Sequence, residues 1–102
     1  MEIIQWMSDK IDDEIDDSIE YSKKALECRE DFPALADAII KIAEEELKHM
    51  SILHTQVTLI IDAYRRANGE PPEPMKILYN ITHKKDIAHA AEAKAYLSMY
   101  KE

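Results

Sequence analysis

Residues 32–67 read FPALADAIIKIAEEELKHMSILHTQVTLIIDAYRRA, an unbroken helical pattern whose one proline, Pro33, falls in the first turn, where a helix tolerates it. Leu35, Ile39, Ile42, Glu46, His49, Leu53, Val57, Ile60 and Tyr64 follow one another by steps of three and four, the spacing of a single helical face. At ~1.5 Å per residue such a helix runs about 50 Å, long for a chain of 102 residues. Past His49 the apolar arc widens, because Ile52, Leu59 and Ala63 lie well round from the main stripe. A helix that is apolar round most of its circumference has to be covered on more than one side. Three helices of one small chain cover it poorly, which predicts a homodimer or a larger homo-oligomer.

The punctuation on either side sets the neighbouring elements. Upstream, Arg29-Glu30-Asp31-Phe32-Pro33 ends a first helix, and Asp31 is placed to cap the second. Downstream, Asn68-Gly69-Glu70-Pro71-Pro72-Glu73-Pro74 puts the chain's one glycine where a helix terminus wants it, and three prolines block continuation. With Ser8 as a cap for the first helix, the pattern predicts one all-α domain over residues 1–102. Its helices lie near 8–29, 32–67 and 74–100, with a Gly/Pro linker at 68–74.

Composition narrows the function. One glycine argues against strands joined by tight turns. A net charge of −8, spread along the chain, argues against a nucleic-acid partner and is compatible with attracting small cations. No apolar run reaches the ~18 residues of a membrane span, and the Met1-Glu2-Ile3-Ile4 start lacks a basic leader. The single Cys28 excludes an internal disulfide or a Cys-rich metal site, and reads as a small buried or half-buried hydrophobe. These features predict a cytoplasmic protein.

Glu46-Leu47-Lys48-His49 carries the chemistry. On a helical wheel Glu46 falls about 20° from Ile39 and from Leu53, inside the apolar stripe, while Glu44, Glu45 and Lys48 fall on the solvated side. An ionised carboxylate in that stripe costs several kcal/mol unless it is paired or holds a metal. His49, one turn on, points an imidazole at the same spot, as two ligands of one ion require. On the first helix, the apolar face Ile11, Ile15, Ser18, Ile19, Ser22, Ala25 and Leu26 leaves most of the acids solvated. Glu14 is the exception. It borders that face on the side of Tyr21, two turns later.

Glu14, Tyr21 at plus seven, and Glu46-x-x-His49 after Glu45 together resemble one half of the ferritin-like di-iron carboxylate family, in its bacterioferritin and rubrerythrin branches. The resemblance covers about residues 8–74. It implies that Glu14 and His49 are terminal ligands, that Glu46 bridges two irons, and that Tyr21 hydrogen-bonds to the ligands. It also implies a ferroxidase-like activity, oxidising Fe(II) with O2 or peroxide. Full-length members repeat the motif on a third and fourth helix, and full rubrerythrins add a C-x-x-C domain. This chain has neither. It is similar to the short encapsulated ferritins, half-bundles completed by dimerisation, although their C-terminal docking tail is not visible after Tyr100. By that likeness helices one and two form a half-bundle, and two chains supply four carboxylates and two histidines, the ligand set of a bundle-core di-iron site. Manganese or zinc could occupy the same ligands.

On the third helix, Ile77, Ile81, Ala88, Ala95 and Met99 share a face, with Glu92 near its middle and His89 on its flank. Because the family carries a Glu there, Glu92, with His89, is a further candidate ligand. A subunit contact with Glu92 reaching water or Lys85 is the plainer reading. His83 and Asp86 face away from that stripe and read as solvated, and His54 reads as a core or interface residue. The rival to an iron protein is a metal-free helical assembly protein, in which Glu46 and His49 form a hydrogen-bonded network across a dimer interface.

Overall fold

The chain turns at both of the breaks that punctuate its sequence. The computed structural model describes residues 2–102 as three α-helices, α1 (Glu2–Cys28), α2 (Pro33–Asn68) and α3 (Glu73–Lys101), with no strand among the described residues. None of the helices is long and apolar enough to cross a membrane.

Local chemistry moves the helix ends. The first helix begins at Glu2, not at Ser8, and Ser8 lies inside it. Glu2 to Met7 contains no helix breaker, and burial of Met7 and packing of Ile4 carry the core back to the start of the chain. At the α1–α2 junction Pro33 disfavours a helical conformation for the residue before it. Phe32 accordingly takes the cap position at φ −134°, ψ 66°, with no side-chain capping bond, so Asp31 does not cap. The turn closes instead through backbone bonds, Phe32 N–H donating to the Cys28 carbonyl at 2.7 Å and Ala36 N–H to the Phe32 carbonyl at 2.9 Å. After α2, Gly69 takes a positive φ of 80° and donates its N–H to the Arg65 carbonyl, a conformation open to glycine at little cost.

α1 packs along α2, α3 packs chiefly on α1, and α2 and α3 meet sparsely. The result is a rod of 56 × 20 × 18 Å. Two apolar clusters hold its ends. Met7, Ile11, Ile15, Val57 and Ala90 form one, backed by Met50, Leu53 and Ile60; Ala25, Ala36 and Ile40 form the other, backed by Ile39, Leu97 and Tyr100. Between them the interior is made of small residues. Ser18, Ser22, Ala43 and Ala93 are fully buried, and the Ser18 hydroxyl donates to the Ala43 carbonyl across the α1–α2 boundary at 2.8 Å.

The face of α1 lies where the alternation places it, but the buried lines of α3 and of the first half of α2 are displaced. On α2 the buried line Ala36, Ile40, Ala43 and Leu47 runs beside the Leu35–Tyr64 stripe and joins it at Val57, with Ile39, Leu53, Ile60 and Tyr64 of the stripe half-buried. Leu35 and Ile42 remain 52% and 37% exposed. On α3 the inward line is Tyr79, His83, Asp86, Ala90, Ala93, Leu97 and Tyr100, while Ile77, Ile81 and Met99 face outward. The reason is the same in both helices. Alanine at the contact lets backbones approach closely, and the bulky residues are displaced to the flanks.

This packing predicts an asymmetry at Ser18. Ser18→Ala removes one buried hydrogen bond and should cost about 0.5–1.5 kcal/mol, whereas Ser18→Leu overpacks the close approach and should cost more, about 1–3 kcal/mol beyond that. Urea unfolding of both variants checks the order; equal losses would show that the close approach is not tight.

Candidate metal centre

The α1–α2 pairing fixes which flanks meet. Ser18 opposes Ala43, and the helices run antiparallel, so one turn toward the N-terminus of α1 is one turn toward the C-terminus of α2. Glu14 therefore comes level with Glu46 and His49. Ligand atoms of Glu14, Glu46 and His49 lie within 4.8 Å of one another, the one such group of three among the described residues. His49 Nδ1 stands 3.4 Å from Glu14 Oε2. That approach is too misaligned to count as a hydrogen bond, and the Glu14 oxygen is buried with no other partner.

The carboxylates are half-buried and the imidazole side chain is 55% exposed, so the group sits on a flank with a way out to solvent. Glu46 is thus half-buried at the edge of the core rather than in mid-core. The polar contacts from α2 to α3 come from Asp37, Glu44 and His54: Tyr100 Oη donates to Asp37, Lys101 pairs with Glu44 at 3.2 Å, and His83 faces His54. All three lie on the other flank of α2. The Glu14–Glu46–His49 group consequently opens on the side that α3 leaves uncovered, with Ile42 one turn before Glu46 on the same flank.

The donor set is two carboxylates and one imidazole, with an orphaned carboxylate oxygen that a cation would satisfy. Such donors suit iron or manganese and can also hold zinc. Three side chains leave coordination positions open on one ion and are too few for two. Tyr21 is half exposed on the Glu14 side of α1, and its hydroxyl makes no hydrogen bond among the described residues. Glu92 and His89 do not belong to the group. Glu92 is exposed and accepts from Tyr96 Oη at 3.5 Å, and His89 is half-buried on α3.

A second constellation lies on the opposite side, where solvated residues were expected. His83 and Asp86 both turn into the bundle. His83 stacks on His54 and on Tyr79, with ring centroids 5.0 Å and 5.7 Å apart. Burial, and then the neighbouring His83, lower the His54 pKa. Asp86 faces Asp12 of α1, close enough for the two carboxyl groups to share a proton, and each also has a buried oxygen without a partner. Burial, and then Asp12, push the Asp86 pKa up to about 7. The signal in the sequence was the spacing Tyr79, His83, Asp86, Ala90, Ala93, Leu97, Tyr100, an unbroken alternation of four and three. It is polar at one end, and a search for apolar stripes passes over it.

No family model, curated protein or solved structure matches the chain.

The Asp12–Asp86 pair gives a pH test. Asp86 binds its proton more tightly folded (about 7) than unfolded (near 3.8), so the folded state holds the extra proton and stability falls as pH rises through that window. Asp86→Asn cannot ionise. In metal-free buffer its melting temperature should gain on wild type between pH 4 and pH 7 and keep that gain above. Parallel profiles for the two proteins would show that the pair carries no such penalty.

Proposed function

We propose that this chain is a ferritin-like half-bundle that dimerises to complete a di-iron carboxylate centre and oxidises Fe(II) with O2 or peroxide. The observation that carries the reading is the convergence of Glu14, Glu46 and His49 on one point, with an unpartnered Glu14 oxygen, on the open side of the bundle. Two chains related by a two-fold axis bring four carboxylates and two imidazoles, the donor set that bundle-core di-iron sites use. Leu35 and Ile42 on the same flank, together with Ile52 and Leu59 further round, supply apolar surface that a second copy would bury. Tyr21, two turns after Glu14 on the same side of α1, is the residue this reading assigns to hydrogen-bond the ligands.

Iron bound there supplies the redox chemistry, each Fe(II) giving one electron to the oxidant. The chain's own part is to present carboxylates and imidazoles at fixed spacing, to leave a coordination position open, and to keep the site dry under the partner's apolar flank. Exposed acids on α1 (Asp13, Asp16, Asp17) add to the negative field that attracts cations to the chain. A lone Cys28 without a disulfide partner suits a reducing, cytoplasmic setting.

The second reading is a metal-free helical assembly protein. The 3.4 Å approach of His49 to Glu14 favours it, since the two can pair as ions without any metal. Glu46→Ala separates the two. In the iron reading it abolishes Fe(II) binding, and apo stability holds or rises because an unpaired, half-buried carboxylate is gone. In the assembly reading it leaves metal behaviour unchanged and costs about 1–3 kcal/mol of stability. Tyr21→Phe should retain iron but change the rate or the optical spectrum of Fe(II) oxidation, checked by stopped-flow absorbance. Identical traces would remove Tyr21 from the site.

A further inference from the structure

Besides the Tyr100–Asp37 and Lys101–Glu44 contacts near the end of α3, the thinly packed boundary between α2 and α3 contains a histidine junction whose spacing is that of a ligand pair. His54 Nε2 and His83 Nδ1 are 3.3 Å apart. Two imidazole nitrogens bound to one tetrahedral cation at ~2.0–2.1 Å stand ~3.3–3.4 Å from each other, so the pair is already at ligand spacing. The ring of His83 is held in place by stacking on both Tyr79 and His54. Asp86, one turn after His83, lines the same cavity of about 360 Å³ as the two histidines, and its Oδ1 is buried without a partner. Asp12 on α1 adds a second unpartnered carboxylate oxygen beside Asp86. Lys94 also lines the cavity, but it is exposed, and Lys85 is exposed beside Asp86, so neither is locked onto the carboxylates.

We infer that His54, His83 and Asp86 form a second cation site, for a tetrahedral ion of Zn(II) type, which clamps α3 onto α2. The Asp86 oxygens do not converge on the two ring nitrogens in this structure, where Asp86 faces Asp12; to complete the site Asp86 has to turn its side chain toward the histidines, with water in the fourth position. An imidazole-rich donor set distinguishes this site from the carboxylate-rich Glu14–Glu46–His49 group on the far flank, and suits zinc. The inference is independent of the iron reading, because the two groups share no residue.

Calorimetric titration of the metal-stripped full chain tests it. The Glu46→Ala/His49→Ala variant, which lacks the first group, should still take up one Zn(II) per chain, and Co(II) in its place should give the intense visible absorption of a tetrahedral ion. Adding His83→Ala should weaken Zn(II) binding at least about tenfold, and Asp86→Asn should weaken it by less. In the Glu46→Ala/His49→Ala background, Zn(II) should also raise the melting temperature while His83 is intact and leave it unchanged once His83→Ala is added. No saturable uptake by the Glu46→Ala/His49→Ala variant, or uptake indifferent to His83→Ala, would overturn the site and leave His54 and His83 as a hydrogen-bonded pair. Should the double variant fail to fold, the wild-type imidazole ¹⁵N resonances serve instead. Zn(II) should shift those of both His54 and His83, and unshifted resonances would overturn the proposal.

Discussion

The close approach of α1 and α2 at Ser18 and Ala43 is the constraint on which the rest of the bundle depends. Both residues are fully buried, and a hydroxyl-to-carbonyl bond of 2.8 Å joins the two backbones there. Its net worth is modest, about 1 kcal/mol; its importance is register. From that level, one turn along each helix brings Glu14 beside Glu46 and His49, and several turns in either direction bring the apolar clusters into line. A slip of one turn would separate the carboxylate of α1 from the ligand pair of α2. Small residues at the contact thus convert a packing preference into a defined site geometry.

The same economy of bulk explains what the bundle leaves outside. Alanine and serine fill the closest contacts, so the large apolar side chains of α2 and α3 are carried to the flanks. Leu35, Ile42, Ile52 and Leu59 on α2, with Ile77 and Ile81 on α3, remain at the surface of a chain that reaches 56 Å but is only 18–20 Å thick. A rod this thin buries little of its own surface. Of these apolar side chains, Leu35 and Ile42 share a flank of α2 with the partial ligand set, the side on which the proposed second copy would pack.

The three helices and both breaks were legible in the sequence because Pro33, Gly69 and the proline cluster act locally. The inward face of α1 was legible too, since isoleucines and serines alternate cleanly with acids. The buried line of α3 and the first half of that of α2 were not, whereas the Leu53–Tyr64 half of the α2 stripe does turn inward. Hydrophobic periodicity ranks positions by bulk, whereas the contacts here are chosen for smallness, so Ala36, Ala43, Ala90 and Ala93 outrank Leu35, Ile42 and Ile77. The Glu14, Glu46 and His49 group followed from spacing and family resemblance, and their side chains do converge. The His54–His83–Asp86 junction depends on how α3 rolls against α1 and α2, a tertiary choice with no local signature.

The proposed iron centre requires each chain to carry half of the ligand set and a second chain to complete it. Native mass spectrometry of the protein, purified without a His-tag, stripped and reloaded with Fe(II) under anaerobic conditions, reads composition and assembly together. The account predicts a dimer carrying two irons, and loss of both irons when Glu46 is replaced by Ala. A monomer holding iron by itself, or a dimer that takes up none, would contradict it.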